Sequence, residues 1–490
     1  MELEELAAKS FFPFLFVLYF VLSIYQNNIG QTTVIETLRP LTLLLAATGL
    51  THLALYRHLG DRKAGLITFT AAFILLTYGI QARLTPFGDV FLVALNATVG
   101  LGIVFHVIRS ENDFSKVVKT LNFFTAVLLA TVFIGLATAG DPGVETGEIQ
   151  SSIEMEGDAA ETPDIYYIVP DRYPSDEVLE KDFEHDNSGF TEFLVDEGFY
   201  VANASFANYP SSTYQSLTSA LNMQYLDEMG VRPEHERNDF QPALEGNEIQ
   251  QFLQSHGYNF HNIGFDYRPT QYNRYADNNT NNYLEAGGTR FTAFEHVLIQ
   301  QTALDGLLRL ERFVGDDFHG EKENFRAISE ASGVGPDFVF SHHKLPHPPF
   351  RMTEELDRLD PEGMLYEDKF VHQVEATNKL LKEEVESILE DDEDSIIMIV
   401  SDQGPVGWTW EKAGEEDAEL VSSAYIAVHA PEAREDFYPE MTPVNTNRIV
   451  MNNYFDTDLP LLEDNVYMQE NESTMQFRNV NELIGLQKKD

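Results

Sequence analysis

Five long apolar stretches crowd into the first 140 residues, at 10–25, 40–56, 64–81, 90–108 and 121–138. Each approaches the roughly 20 residues an α-helix needs to cross a bilayer's hydrocarbon core. A backbone immersed there must satisfy its own hydrogen bonds, so the expectation is a five-helix transmembrane domain over 1–140. The first stretch reads as a span rather than a cleavable leader, because four more follow and no small-residue cleavage site is evident. Arg57, Arg62 and Lys63 lie between the second and third stretches, and Arg109, Lys116 and Lys119 between the fourth and fifth. The opposite loops offer only Arg39 and Arg83, which predicts a cytoplasmic N-terminus and an extracellular C-terminal domain at the cell membrane. His52 and His106 read as interfacial or helix-packing residues with no transport role.

Charge divides the chain in the same place. The whole carries a formal net charge of −47 over 490 residues, but residues 1–140 hold nine basic and eight acidic side chains. The remaining 350 therefore hold 23 basic and 71 acidic residues. A surface this acidic repels phosphate, so a nucleic-acid partner is excluded, and the bias reads as adaptation to high salt, the alternative being a substrate-repelling or cation-collecting surface. Cysteine is absent, which removes disulfides, thiolate metal sites and a cysteine nucleophile. Residues 141–162 are rich in Gly, Ser and Glu without an apolar period, an acidic linker.

From 163 to 490 short apolar runs alternate with amphipathic ones. Strands are expected at 165–169, 259–265, 338–342, 396–401 and 425–428, and helices at 190–197, 249–256 and about 364–389. Nearly continuous apolar strands suit a sheet covered on both faces, so the fold class is α/β with a mostly parallel sheet and helices on both sides. The asparagine-rich run 277–282 reads as a loop.

Chemistry in such sheets collects past the carboxyl ends of the strands. After the first run comes Pro170-Asp171-Arg172-Tyr173, after the third Ser341-His342-His343-Lys344-Leu345-Pro346-His347-Pro348-Pro349, and after the fourth Ser401-Asp402-Gln403-Gly404. Acidic, amide and imidazole groups at three separate strand ends point to a metal-assisted site. A fourth segment, Tyr209-Pro210-Ser211-Ser212-Thr213-Tyr214-Gln215-Ser216, has a helix-start pattern. A hydroxyl in that first turn lies at the positive end of the helix dipole, where an anionic ester is favoured. A metal on Asp171 and Asp402 would lower the hydroxyl's pKa and make it a nucleophile. The plain alternative is Ser/Thr capping of the helix.

These motifs carry a resemblance. The run Pro163-Asp164-Ile165-Tyr166-Tyr167-Ile168-Val169-Pro170-Asp171 resembles the opening strand and metal-ligand aspartate of the alkaline phosphatase superfamily. More narrowly it resembles membrane-anchored sulfatase-like proteins, which include lipoteichoic acid synthases and phosphoethanolamine transferases. The similarity continues through Gly198-Phe199-Tyr200-Val201-Ala202, Asn208-Tyr209-Pro210, Leu345-Pro346-His347-Pro348-Pro349-Phe350, Ser401-Asp402-Gln403-Gly404 and Pro443-Val444-Asn445-Thr446. It implies Asp171, Asp402, Gln403 and Thr213 as metal ligands, with Thr213 as nucleophile. Ser216 falls three residues on, with a substrate-binding role, and His347 falls where relatives hold the substrate ester or leaving-group oxygen.

Two departures matter. Gln403 stands where most relatives place a histidine, so the metal shell becomes all-oxygen, favouring Mn²⁺, Mg²⁺ or Ca²⁺ over Zn²⁺. Arg172 replaces a frequent glycine, and either clamps an anionic ester or balances Asp176. The resemblance implies a hydrolase or transferase of phosphate or sulfate esters acting on membrane lipid headgroups or surface glycans. The rival is a non-catalytic surface or assembly protein on the same fold. Trp408 and Trp410 either line a headgroup pocket or pack in the core.

Overall fold

The computed structural model describes residues 8–27, 34–84, 89–138, 149–157, 162–265, 267–282, 285–286, 289–290, 293–304, 317–331 and 335–486. The chain forms two compact units, one of residues 1–145 with 284–315, the other of 146–283 with 316–490.

The first unit contains α1 (Phe12–Gln26), α2 (Val34–Leu59), α3 (Asp61–Leu84), α4 (Asp89–Arg109) and α5 (Ser115–Thr138). Helices α2 to α5 are long and apolar enough to cross a membrane, while α1 is a shorter apolar helix of 15 residues. Their outward faces are greasy: Leu43, Leu50, Leu101 and Phe123 are all exposed. Such side chains on a helix surface match lipid rather than water as solvent. His52 is not alone, as its Nε2 lies 3.3 Å from Asp61 Oδ1. A further helix, Ala293–Gln300, belongs to this unit although it follows the outer strands in sequence. Phe294 and Leu298 bury into a cluster with Phe16, Val17, Phe20, Val21, Ile24 and Leu76. Glu295, itself buried, takes both Nε and Nη2 of Arg39.

The second unit is built on a seven-stranded sheet. In chain order its elements are β1 (Ile165–Asp171), α6 (Ser188–Asp196), β2 (Tyr200–Ala202), α7 (Thr213–Leu221), α8 (Glu248–Ser255), β3 (Asn259–Ile263) and β4 (Asn278–Thr280). There follow α9 (Asp317–Ser329), β5 (Asp337–Pro346), α10 (Tyr366–Asp391), β6 (Ile396–Val400), β7 (Ile426–His429), α11 (Pro443–Phe455), β8 (Tyr467–Asn471) and β9 (Thr474–Asn479). The strand order is β2-β7-β6-β1-β5-β3-β4, with β8 and β9 forming a separate hairpin. The pairs β6–β1, β1–β5, β5–β3 and β3–β4 are parallel, whereas β7 runs antiparallel to both β6 and β2.

Alternation along β1 explains the two-sided cover. Ile165, Tyr167 and Val169 face a core with Leu217 and Leu221 of α7, Phe252 of α8 and Ile449 of α11. Tyr166 and Ile168 face another, with Phe190 of α6, Phe325 of α9 and Phe370 and Val374 of α10. The asparagine-rich run 277–282 departs from the expected loop: Asn278–Thr280 pairs with β3 as an edge strand. Backbone pairing decides this, since no apolar side chain marks it.

Candidate functional site

Parallel strands deliver their carboxyl ends to one edge of the sheet. There β1 ends in Asp171, Asp402 follows β6, Lys344 and His347 come from the end of β5, and Phe265 and Tyr267 follow β3. With Arg172, Ser211, Ser212, Thr213, Pro348, Pro349, Gln403 and Gly407 these groups, Asp402 excepted, line a cavity of about 430 Å³. Asp402 is buried behind it.

Thr213 opens α7, preceded by Ser212 in extended conformation. Ser212 makes no side-chain cap, so the capping alternative does not describe its hydroxyl. Gln403 Nε2 donates to Thr213 Oγ1 and to Asp171 Oδ1, each at 3.3 Å. Asp402 Oδ1 accepts the Arg172 backbone N–H at 3.1 Å, and its carboxyl lies beside the Thr213 hydroxyl. Four side chains from three distant segments thus meet in one knot.

The knot is electrostatically unfinished. Asp171 and Asp402 are both held above the usual carboxylate range, first by burial; for Asp402 the charge of Asp171 adds to it. Two desolvated carboxylates side by side disfavour holding two negative charges. Asp402 Oδ2 and Gln403 Oε1 are buried without a hydrogen-bond partner, and leaving such oxygens orphaned is costly. Among the described residues no group of three His, Asp or Glu side chains is arranged for a metal. The donors present are two carboxylates, an amide carbonyl and a hydroxyl, a set that fits a hard, oxygen-seeking divalent cation.

Arg172 has φ 69°, the left-handed region. An L-residue there costs roughly 1–2 kcal/mol, which makes sense of the glycine common among the sequences it resembles. Its guanidinium lines the cavity, while the Asp176 carboxylate is taken by Asn187 at 2.7 Å and Thr191 at 2.6 Å. Gly407 keeps this corner open, since a Cβ there would sit 2.8 Å from Gln403 Oε1 and 3.2 Å from Arg172 Nη2. At Gly404 a Cβ would meet Leu420 O at 2.1 Å, so backbone approach alone demands glycine after Gln403.

His347 Nδ1 contacts the Pro348 carbonyl, which only accepts, so Nδ1 carries the proton and Nε2 is the free acceptor of the neutral ring. Burial and then the Arg172 charge lower its pKa to about 4, so the ring is neutral at pH 7. Ser216 is buried one turn below Thr213 and is not among the cavity-lining residues. His342 and His343 point to opposite sides, as strand neighbours must. His342 Nδ1 meets Thr270 Oγ1 at 2.7 Å and His343 stacks on Phe325. Trp410 packs under Arg478 and Trp408 gives its carbonyl to Ser211, so neither lines the cavity. In the sequence alone no role attaches to Lys344, Phe265, Tyr267 or Gly407. All but Gly407 are at or just past strand ends, the signal that singled out Asp171.

No protein-family model matches the chain, and no curated protein sequence does. Among solved structures it is similar to the integral membrane lipooligosaccharide phosphoethanolamine transferase A from Neisseria meningitidis, at 11% identity and TM-score 0.39, covering 90% of this chain and 94% of that one. The C-terminal periplasmic domain of EptC from Escherichia coli matches at 11% identity and TM-score 0.40, over 68% of this chain and 98% of that one. An alkaline phosphatase superfamily protein from Vibrio parahaemolyticus matches at 10% and 0.42, over 66% and 79%.

Proposed function

We propose that this chain is a membrane-anchored hydrolase or transferase of phosphate or sulfate esters, with Thr213 as nucleophile, of the alkaline phosphatase superfamily kind its motifs resemble. The observation that carries this reading is the Thr213–Gln403–Asp171–Asp402 knot at the floor of a cavity that also presents Arg172 and Lys344. The two cations hold the anionic ester, and the amino end of α7 adds its dipole. Thr213 Oγ1 forms a bond to phosphorus or sulfur, its proton passes to Asp402, and the bond to the leaving oxygen breaks in line. His347, as imidazolium, the minority form at pH 7, carries a solvent-derived proton on Nε2 and hands it to the leaving oxygen. The ring, now neutral, recovers one through Nε2 from the water or hydroxyl that cleaves the covalent ester. A divalent cation held by Asp171, Asp402, Gln403 and Thr213 would lower the hydroxyl's pKa and offset the paired carboxylates, Mg²⁺, Mn²⁺ or Ca²⁺ suiting the oxygen donors better than Zn²⁺.

The membrane anchor favours lipid headgroups or surface glycans as substrates. The segment 293–303 supports the topology. It meets the amino end of α2 at Arg39 and the carboxyl half of α3 at Leu75 and Gly79. Those ends share one side only if the helices alternate, and the chain after α5 emerges on that same side. The basic loops then assign it to the cell exterior.

Turnover of p-nitrophenyl phosphate and sulfate by the full chain in detergent tests the assignment. Thr213→Ala should abolish turnover with the fold intact, and Thr213→Ser should keep part of it. Undiminished turnover by Thr213→Ala would overturn the role of Thr213.

A further inference from the structure

The loop that carries His347 cannot hold itself. Pro346, Pro348 and Pro349 lack a backbone N–H, so between 346 and 349 only His347 has one. The carbonyls of Pro346 and His347 go instead to one buried side chain on α10. Gln373 Nε2 donates to Pro346 O at 2.9 Å and to His347 O at 3.1 Å. Its Oε1 accepts the Arg351 N–H at 2.7 Å. Both donors and the acceptor of a single amide are therefore spent on one six-residue loop, 346–351, and Gln373 is 1% exposed.

The upstream end is held in a similar way. The β1–β5 register slips between Pro170 and Asp171, whose partners are His343 and Pro346. This bulge frees the Leu345 N–H from the ladder, and Glu321 Oε1 on α9 accepts it at 3.1 Å. Between the two anchors lie His347, Pro348 and Pro349, all facing the cavity.

We propose that Gln373 is a positioning residue which, with Glu321, clamps the 345–351 backbone so that His347 Nε2 meets the leaving oxygen of the ester. This rests on the function proposed above. A group acting on a leaving oxygen matters in proportion to how poorly that oxygen leaves. Full-length Gln373→Ala should therefore lose ~10- to 100-fold in kcat on ethyl phosphate, or the ethyl sulfate counterpart, with KM changed far less. On the p-nitrophenyl esters, whose leaving group needs no proton, the loss should stay within about 3-fold. Combined with His347→Ala it should add almost nothing, because both changes remove the same assistance.

Equal losses on both ester types, or losses that multiply with His347→Ala, would reduce Gln373 to a structural residue and overturn the proposal. Wild-type protein that cleaves neither ester class would instead overturn the enzymatic reading and the leaving-group role with it. Amide exchange then decides the clamp separately. Gln373→Ala should speed exchange at Arg351 while Leu345, held by Glu321, stays protected. Unchanged exchange at Arg351 would refute the clamp as well.

Discussion

Glu321 offers a sharp test of how this domain manages buried charge. It sits on α9, fully enclosed, with Oε1 on the Leu345 N–H and Oε2 unpartnered. Burial raises its pKa from 4.5 to about 8, against the opposing pull of the Leu345 N–H and Lys344. Below pH 4.5 folded and unfolded chains are both protonated there, and folding costs nothing extra. Between 4.5 and 8 the unfolded chain ionises while the native one keeps its proton, so stability falls as pH rises. At about 1.4 kcal/mol per pH unit, the 3.5-unit gap amounts to about 5 kcal/mol by pH 8.5, an upper value. Glu321→Gln keeps the acceptor for Leu345 and deletes the ionisation. In thermal scans of the full chain in detergent, the variant should match wild type at pH 5 and melt several degrees higher at pH 8.5. A Tm gain equal at both pH values, or a loss at pH 8.5, would refute the reasoning and mean that Glu321 is a carboxylate paired with Lys344.

Other expectations follow from the same geometry. Gly407→Ala puts a methyl within 2.8 Å of Gln403 Oε1 and 3.2 Å of Arg172 Nη2. Displacing both should cut ester turnover ~10- to 100-fold with little change in Tm, and full activity would show that neither group's place matters. In the membrane unit, Arg39→Ala removes the guanidinium bound to the buried Glu295 carboxylate, and because Arg39 is half exposed the cost should be about 1–3 kcal/mol. Arg39→Ala with Glu295→Leu should recover much of that loss in thermal scans, whereas simple additivity would mean the ion pair is not formed.

The parts legible in sequence were those written as apolar patterns. β1, β5 and β6 are buried runs, and looking past their ends finds Asp171, His347 and Asp402, which the fold brings to one edge. Strand direction leaves no such trace, so the run at 425–428 gives no hint that β7 is reversed. Nor does Asn278–Thr280, whose place in the sheet comes from backbone pairing to β3. The helix Ala293–Gln300 clusters with the anchor because Phe294 and Leu298 meet α1 and α3, a long-range contact that local composition does not encode. Lys344 and Gln373 acquire their places through the β5 bulge and the proline-rich loop, which only the register reveals. Arg172 is the instructive middle case: its sequence neighbourhood left two roles open, and the fold shows only that Asp176 bonds Asn187 and Thr191 while Arg172 lines the cavity.

The central claim is a metal-assisted Thr213 site built on Asp171, Asp402 and Gln403. Elemental analysis of the full chain, purified in detergent and high salt, tests it most directly. The account predicts near-stoichiometric Mg, Mn or Ca in the wild type and its loss in Asp402→Ala. Protein that retains no divalent metal after soaking with each ion, or that retains it equally in Asp402→Ala, would contradict it.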